Sequence, residues 1–390
     1  MMRSVARFGT KSDALALSRA AVVTVFFLSG LTGSSWISRI PEVQVKLGME
    51  NGALGLALLS STVGAVVAMP IAGMSVARFG SLPVSRAVAL LLCFALPLPA
   101  LASSLPTLVL GLFWFGAAGG SLGVAMNAQA VLVEQRAARP IMSSFHAAFS
   151  AGGLCGAALG SVLAGAGALP AVHLAAVALL ALSALACVWR LLPGDGERPM
   201  RAPRLAWRWP NRALVALGGL SLCGMLGEGA IADWSGVFLH RELHATAGIA
   251  AGGYAAFSFA MAGARAFGDA LTARLGAVRV LRLSGGLAVV GLLIVLSSHS
   301  PTPALLGFAC VGAGFSAVIP TIFSAAGRLP GVSSAYALSA VTTLGYAGFL
   351  AGPPSIGFAS EVLGLRGALT LVLGTSALIA LLSRFATPRP

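Results

Sequence analysis

Residues 193–211 read PGDGERPMRAPRLAWRWPN, a stretch rich in Pro and Arg that sits almost at the midpoint of a 390-residue chain. It is the longest polar break in the sequence, and it separates six apolar runs on its N-terminal side from six on its C-terminal side. The runs are predicted at 17–37, 52–75, 84–103, 106–132, 142–165, 169–191, 213–238, 247–272, 280–298, 303–326, 334–358 and 366–385. Each is about 20 residues long, the length an α-helix needs to cross roughly 30 Å of hydrocarbon. Composition points the same way. A chain that is 57% hydrophobic and 9% charged, with 49 glycines, has too little polar surface to cover a soluble globule. The expected fold is an all-α membrane protein with twelve transmembrane helices in two six-helix bundles. Residues 1–192 would form the first bundle, 193–211 a cytoplasmic linker and 212–390 the second.

A net charge of +14 would point to nucleic acid in a soluble protein. Here the 25 Lys and Arg residues sort by side instead. Twenty fall at the span ends that share a side with the N-terminus and the midpoint break, and only Arg39, Lys46, Arg241 and Arg366 fall at the other ends. That asymmetry over short loops is the positive-inside pattern, so both termini are expected in the cytoplasm of a bacterial cell, with the chain spanning its inner membrane. The basic balance reads as topology, and no nucleic-acid partner is expected. Cys93, Cys155, Cys187, Cys223 and Cys310 all lie within predicted spans and read as small apolar residues. The first run follows a basic stretch, as a signal peptide does, but it is long and lacks an A-x-A site before Trp36, so it reads as the first span.

Laid over each other at an offset of 196 residues, the two halves match. Ala77-Arg78-Phe79-Gly80 falls on Ala273-Arg274-Leu275-Gly276, Arg86 on Arg282, and Gly116-Ala117 on Gly312-Ala313. Gly152, Leu154 and Gly156 fall on Gly348, Leu350 and Gly352. One register serving three span pairs predicts a duplicated six-helix unit. Six is even, so the repeats keep the same orientation, related by a pseudo-twofold axis along the membrane normal with a cavity between them.

Over its whole length the chain resembles the major facilitator superfamily. Gly73-Met-Ser-Val-Ala77-Arg78-Phe79-Gly80 and its repeat are similar to that superfamily's G-x-x-x-D-R-x-G-R-R loop motif, with Ala77 and Ala273 standing where the motif has Asp. The resemblance gives Arg78 and Arg274 a gating or structural role. Further stretches resemble the YbjJ-like permeases near the fucose permease branch. These are Arg39-Ile-Pro, Met126-Asn127-Ala128-Gln129 with Glu134, Ser143-Ser-Phe145-His146 with Gly152-Gly153, Glu228 through Ser235, and Gly345-Tyr346 through Pro354. The fucose permease is a proton symporter using acids in its first and fourth helices. The first predicted span here has no acid and Glu134 lies at the end of the fourth, so that arrangement does not carry over.

Ionisable side chains at membrane depth cost about 2.5 to 3.5 kcal/mol, which makes the few present the candidates for function. Glu228 lies near the middle of the seventh span on a small-residue face with Ser221, Gly224 and Ser235. It reads as a substrate or proton site, or as an interhelical hydrogen bond or ion pair. Asp233 lies about 140° around the helix from Glu228, so the two do not face one ligand squarely. Its neighbour Trp234 reads as an interface-belt residue or a ring that stacks on a sugar. Arg265 shares a stripe with Tyr254, Ser258 and Asp269, either pairing with Asp269 one turn on or clamping an anion. Asn127 and Gln129 point to different sides of the fourth span, so one meets substrate and the other packs. His146 is placed to titrate near neutral pH, or packs as a satisfied histidine. Gly152, Gly156 and Gly160 form a packing strip. Gly352-Pro353-Pro354 is expected to break or bend the eleventh span, a flexing point for alternating access.

There is no G-x-x-x-x-G-K-[ST] segment, metal-ligand cluster or nucleophile elbow, so neither ATP hydrolysis nor another enzymatic reaction is expected, and no cofactor or metal. The fifth span lacks the Pro within a Gly-rich run that marks drug antiporters. The reading is a monomeric, gradient-driven permease for a small polar, sugar-like solute, coupled to protons. An exporter of drugs or metabolites, or a non-transporting membrane sensor, is the alternative.

Overall fold

The structure, a computed structural model, describes residues 11–137, 141–194, 212–327, 329 and 334–386. Most of the expected linker lies outside these residues, as do the side chains of Ser143 and Asp269. Among the described residues every regular element is a helix. The first half holds α1 (Lys11–Ile37), α2 (Ile40–Lys46), α3 (Asn51–Phe79), α4 (Ser81–Ala95), α5 (Leu98–Leu101), α6 (Leu105–Ala137), α7 (Met142–Gly165) and α8 (Pro170–Val188). The second holds α9 (Arg212–Arg241), α10 (Ala247–Leu275), α11 (Ala277–Ser297), α12 (Pro301–Phe315), α13 (Val318–Gly327), α14 (Ser334–Ala368) and α15 (Thr370–Leu382). The first helix starts earlier than expected, which places Asp13 in its first turn.

Ten helical segments are long and apolar enough to span a membrane by themselves, and an eleventh is counted when the pair Ala340–Ala368 and Thr370–Leu382, bent by 66°, is taken as one. The last two expected spans, 334–358 and 366–385, share that pair. The turn between them is Gly364, whose φ of 70° is non-helical and lies inside α14. The first ten expected spans each have such a helix, and the last two fall within the bent pair. Gly352-Pro353-Pro354 does not break the helix. Pro353 and Pro354 sit within α14, and the departure from helical geometry is at Gly364, between the two expected spans.

The duplication is visible in contacts between backbones. A Cβ at Gly116 would run into the Ser61 carbonyl, and a Cβ at Gly312 would run into the Phe257 carbonyl, both partners shifted by the same 196 residues. Gly152 likewise abuts the Phe27 carbonyl and Gly156 the Leu31 carbonyl, while Gly348 abuts the Leu222 carbonyl and Gly352 lies against Leu226. These glycines let α3 seat on α6 and α1 on α7, and their counterparts let α10 seat on α12 and α9 on α14, as small residues do where helices pack in lipid. The turns repeat as well. Gly80 (φ 87°) ends α3 and Gly276 (φ 77°) ends α10, each donating its N–H to a carbonyl four residues back.

The halves meet along α7 with α10 and α3 with α14, which are symmetry-equivalent pairs under the repeat. At one end they are held shut. There Arg241 donates to the Met49 carbonyl at 2.7 Å, the Gly52 N–H donates to Glu361 at 3.1 Å, and Ser161 donates to the Gly248 carbonyl at 2.7 Å. Gly165 and Gly248 touch backbone to backbone.

Candidate functional site

Between the halves lies a cavity of about 560 Å³, mouth included. One wall comes from α1 and α7 and consists of Gly30, Gly33, Ser34, Ile37, Phe149, Ser150 and Gly153. It carries no charge. The other wall comes from α9 and α10 and holds Glu228, Tyr254, Ser258 and Arg265 together with Phe257, Met261 and Ala262.

The neutral wall is open because its glycines differ in what they face. Gly30 is pressed on the Phe149 carbonyl and sets how closely α1 and α7 approach, whereas Gly33 has nothing within 4 Å of where a Cβ would stand. The charged wall is built by helical spacing. Tyr254, Ser258, Met261 and Arg265 recur at three- and four-residue intervals along α10, which brings them onto one face. Glu228 reaches the same space from α9. Arg265 Nη2 stands 3.8 Å from Glu228 Oε1, with the side chains 35% and 28% exposed, and Arg265 Nε donates to the Ser316 carbonyl between α12 and α13 at 3.3 Å. At 3.8 Å the pair attracts by charge but is longer than a hydrogen bond, so both groups keep unused capacity toward the cavity. Tyr254 stacks on Phe257 with ring centroids 5.9 Å apart, and Ser34 of the neutral wall neighbours its phenol.

The other candidates divide. His146 is exposed on α7 one turn before Ser150, edge-on to Phe26 at 5.4 Å and within the electrostatic reach of Arg265. Asp233 is half-buried on α9 and lies outside the cavity lining. Trp234 is 0% exposed, and its indole Nε1 has no hydrogen-bond partner among the described residues. In this conformation it neither lines the cavity nor meets lipid, which corrects both expectations for it. Gln129 is 1% exposed and donates to Ser81 Oγ at 2.6 Å and to the Pro193 carbonyl at 2.9 Å. It ties α6 to the start of α4 and to the segment after α8, so it packs. Asn127 donates to the Gly123 carbonyl of its own helix at 2.8 Å and also stands off the cavity. The expected i,i+4 partner of Arg265, Asp269, has its side chain outside the described residues; the partner that the structure shows is Glu228 on another helix. Arg78 and Arg274 are exposed at the ends of α3 and α10, and Arg78 lies over the Phe79 ring at 5.1 Å. Gly352 and Pro353 are buried; the Pro353 carbonyl faces Gly55 where α14 crosses α3.

Sequence reasoning missed the neutral wall, whose small residues resemble packing residues everywhere else in the chain. It also missed a buried cluster outside the cavity. Arg39, 0% exposed, donates from Nε to His173 Nδ1 at 2.8 Å and from Nη1 to Glu42 at 2.6 Å. An arginine in the turn after an apolar run, three residues before Glu42, was the signal for it in the sequence.

Comparison with known proteins agrees with the architecture. A family model described as Major Facilitator Superfamily matches residues 22–336. A Yersinia pestis protein described as an uncharacterised MFS-type transporter is 37% identical over 358 residues, covering 91% of each chain. The membrane protein MosC of Rhizobium meliloti is 34% identical over 376 residues, 95% of this chain and 90% of that one. Among solved structures, a mutant of the nucleoside transporter NupG superposes with a TM-score of 0.77 at 15% identity, covering 95% of this chain and 99% of that one. At that identity the likeness is one of fold.

Proposed function

The chain belongs to the Major Facilitator Superfamily, and from that premise we propose that it is a secondary active transporter for a small, net-neutral, hydroxylated solute of the sugar-like kind. The observation that carries the reading is the Glu228–Arg265 pair on one wall of a cavity whose other wall is neutral. The two charges already compensate each other, so a net-charged solute would find no unbalanced partner. A vicinal diol, by contrast, offers a donor for the carboxylate and an acceptor for the guanidinium at once. Tyr254 and Phe257 supply a flat apolar face for a ring, and Ser34, Ser150 and Ser258 supply further hydroxyls.

Transport follows by rocking residues 1–192 against 212–390 about the cavity, with 193–211 joining them. In the topology given by the basic residues, the shut end faces outward and the opposite end faces the cytoplasm, with both termini on the cytoplasmic side of a bacterial inner membrane. Glu228 is the candidate for proton coupling. Protonating it would dissolve the ion pair and free Arg265, and deprotonating it would restore the pair, so proton occupancy and solute occupancy act on the same two side chains. Asp233, a second carboxyl in α9, is the other candidate. The motifs around Arg39, Asn127 and Glu228 support a relationship to the YbjJ-like permeases as part of this reading.

The test is counterflow in proteoliposomes holding the purified protein, with labelled neutral sugars, sugar acids, nucleosides and amino acids in turn. Nucleosides belong in the panel because they too are neutral and hydroxylated. Saturable exchange of a neutral hydroxylated solute, accelerated by an inward proton gradient, is expected. Exchange confined to charged solutes, or none for any class, would remove the reading.

A further inference from the structure

Residues 39–52, which include α2, form a continuous strap across the shut end, and their contacts fall into two kinds. Two cations anchor the strap to the first half. Buried Arg39 donates to His173 of α8 at 2.8 Å, and Lys46 Nζ donates to the carbonyls of Ala100 and Ala102 at 2.9 and 2.8 Å. Within the strap, Gln44 Nε2 donates to the Met49 carbonyl at 3.2 Å and to Asn51 Oδ1 at 2.9 Å, fixing its shape.

Two side chains of the second half grip its far end. Arg241, in the last turn of α9, donates from Nη2 to the Met49 carbonyl at 2.7 Å and from Nη1 to Asn51 Oδ1 at 3.3 Å, and its guanidinium lies 3.7 Å from the Glu50 carboxylate. Glu361 of α14 accepts from the Gly52 N–H at 3.1 Å, at the amino end of α3. The placement is complementary. The first turn of a helix presents unpaired N–H groups and partial positive charge, which favour a carboxylate, while the carbonyl just ahead of it favours a cation. A Cβ at Gly52 would stand where the Glu361 carboxylate lies, so the carboxylate would have to shift to admit one.

We propose that residues 39–52 are the outer gate of this transporter, a strap that travels with the first half and is clasped to the second by Arg241 and Glu361. The anchors are buried or tied to several carbonyls, while the clasp is made by groups open to solvent, with Arg241 33% exposed and Glu361 exposed. Opening this end breaks the clasp and leaves the anchors whole. The clasp thereby sets how often the outward-open state is visited. The proposal rests on the alternating-access reading above, but its test needs no solute.

Spin labels at Val45 on the strap and Val362 near Glu361, both exposed, report the separation of the two sides in a variant with the five native cysteines replaced. Pulsed dipolar spectroscopy of that protein is expected to show one dominant short distance. Arg241→Ala with Glu361→Gln should raise a longer-distance population about fivefold or more. Either Glu361→Gln or Arg241→Lys alone, which keep side-chain shape or charge, should give a smaller increase. Lys46→Ala, which cuts an anchor, should leave the short distance dominant. An unchanged distribution in the double variant, or in both single variants should the double one not fold, overturns the clasp whatever the flux assay shows. Lost flux with a widened distribution would count against the transport reading and leave the clasp standing.

Discussion

Arg265 and Glu228 face each other at 3.8 Å from two neighbouring helices, α10 and α9, and both look into the space between the halves. An ion pair at membrane depth that is neither fully buried nor fully hydrogen-bonded is poorly explained by packing alone. Its partial exposure leaves it responsive to what enters the cavity.

If a solute bridges the pair, removing either charge unbalances the wall. Glu228→Gln should weaken solute affinity about tenfold or more, close to 1.4 kcal/mol, and Arg265→Gln should do the same. The double variant restores neutrality, so it should recover thermal stability relative to the single variants without recovering affinity. A double-mutant cycle read by calorimetry of binding and by melting temperature checks both parts.

The glycine contacts make a prediction about symmetry. Gly116→Ala and Gly312→Ala each force a methyl group into a facing carbonyl, so each should destabilise the protein by about 1 to 3 kcal/mol, in parallel. Gly33→Ala meets open space and should leave melting unchanged while narrowing the cavity. Melting temperatures of the three variants in one detergent decide the matter.

Gln129 donates to two buried partners away from the cavity, so Gln129→Leu should lower stability by about 1 to 3 kcal/mol while leaving solute affinity within about twofold. Equal loss of affinity in a stable variant would put Gln129 back among the binding residues.

Trp234 fills core volume with an indole N–H that has no hydrogen-bond partner among the described residues. Trp234→Phe should therefore bind solute as the parent does, and Trp234→Ala should cost about 3 to 5 kcal/mol of stability. A stacking role would show as lost affinity in Trp234→Phe.

The architecture was legible because it is written in length, apolarity and a repeat. The register that laid Gly116 on Gly312 in sequence also lays Ser61 on Phe257 in space. What spacing within one helix could not show was a partner on another. Arg265 was matched with Asp269 because i,i+4 neighbours are visible in a sequence, whereas Glu228 comes beside it only through the packing of α9 on α10. Depth along a helix placed Glu228 near the middle, but rotation decided that Trp234 turns inward. Gly352-Pro353-Pro354 reads as a break or bend because proline removes a donor, yet its fixed φ is accommodated within α14, while the turn between the last two spans is made by Gly364, which takes a positive φ at no steric cost. The neutral wall was unreadable for a plainer reason: Gly33 and Ser34 are the same residue types that pack helices throughout this chain.

The most direct test of the central claim is a thermal-shift screen of the purified protein against sugars, sugar acids, amino acids, nucleosides and common drugs, with Glu228→Gln alongside. The account predicts that a neutral hydroxylated solute raises the melting temperature of the parent protein and fails to raise that of the variant. Equal stabilisation of both would place the solute away from Glu228 and contradict the account.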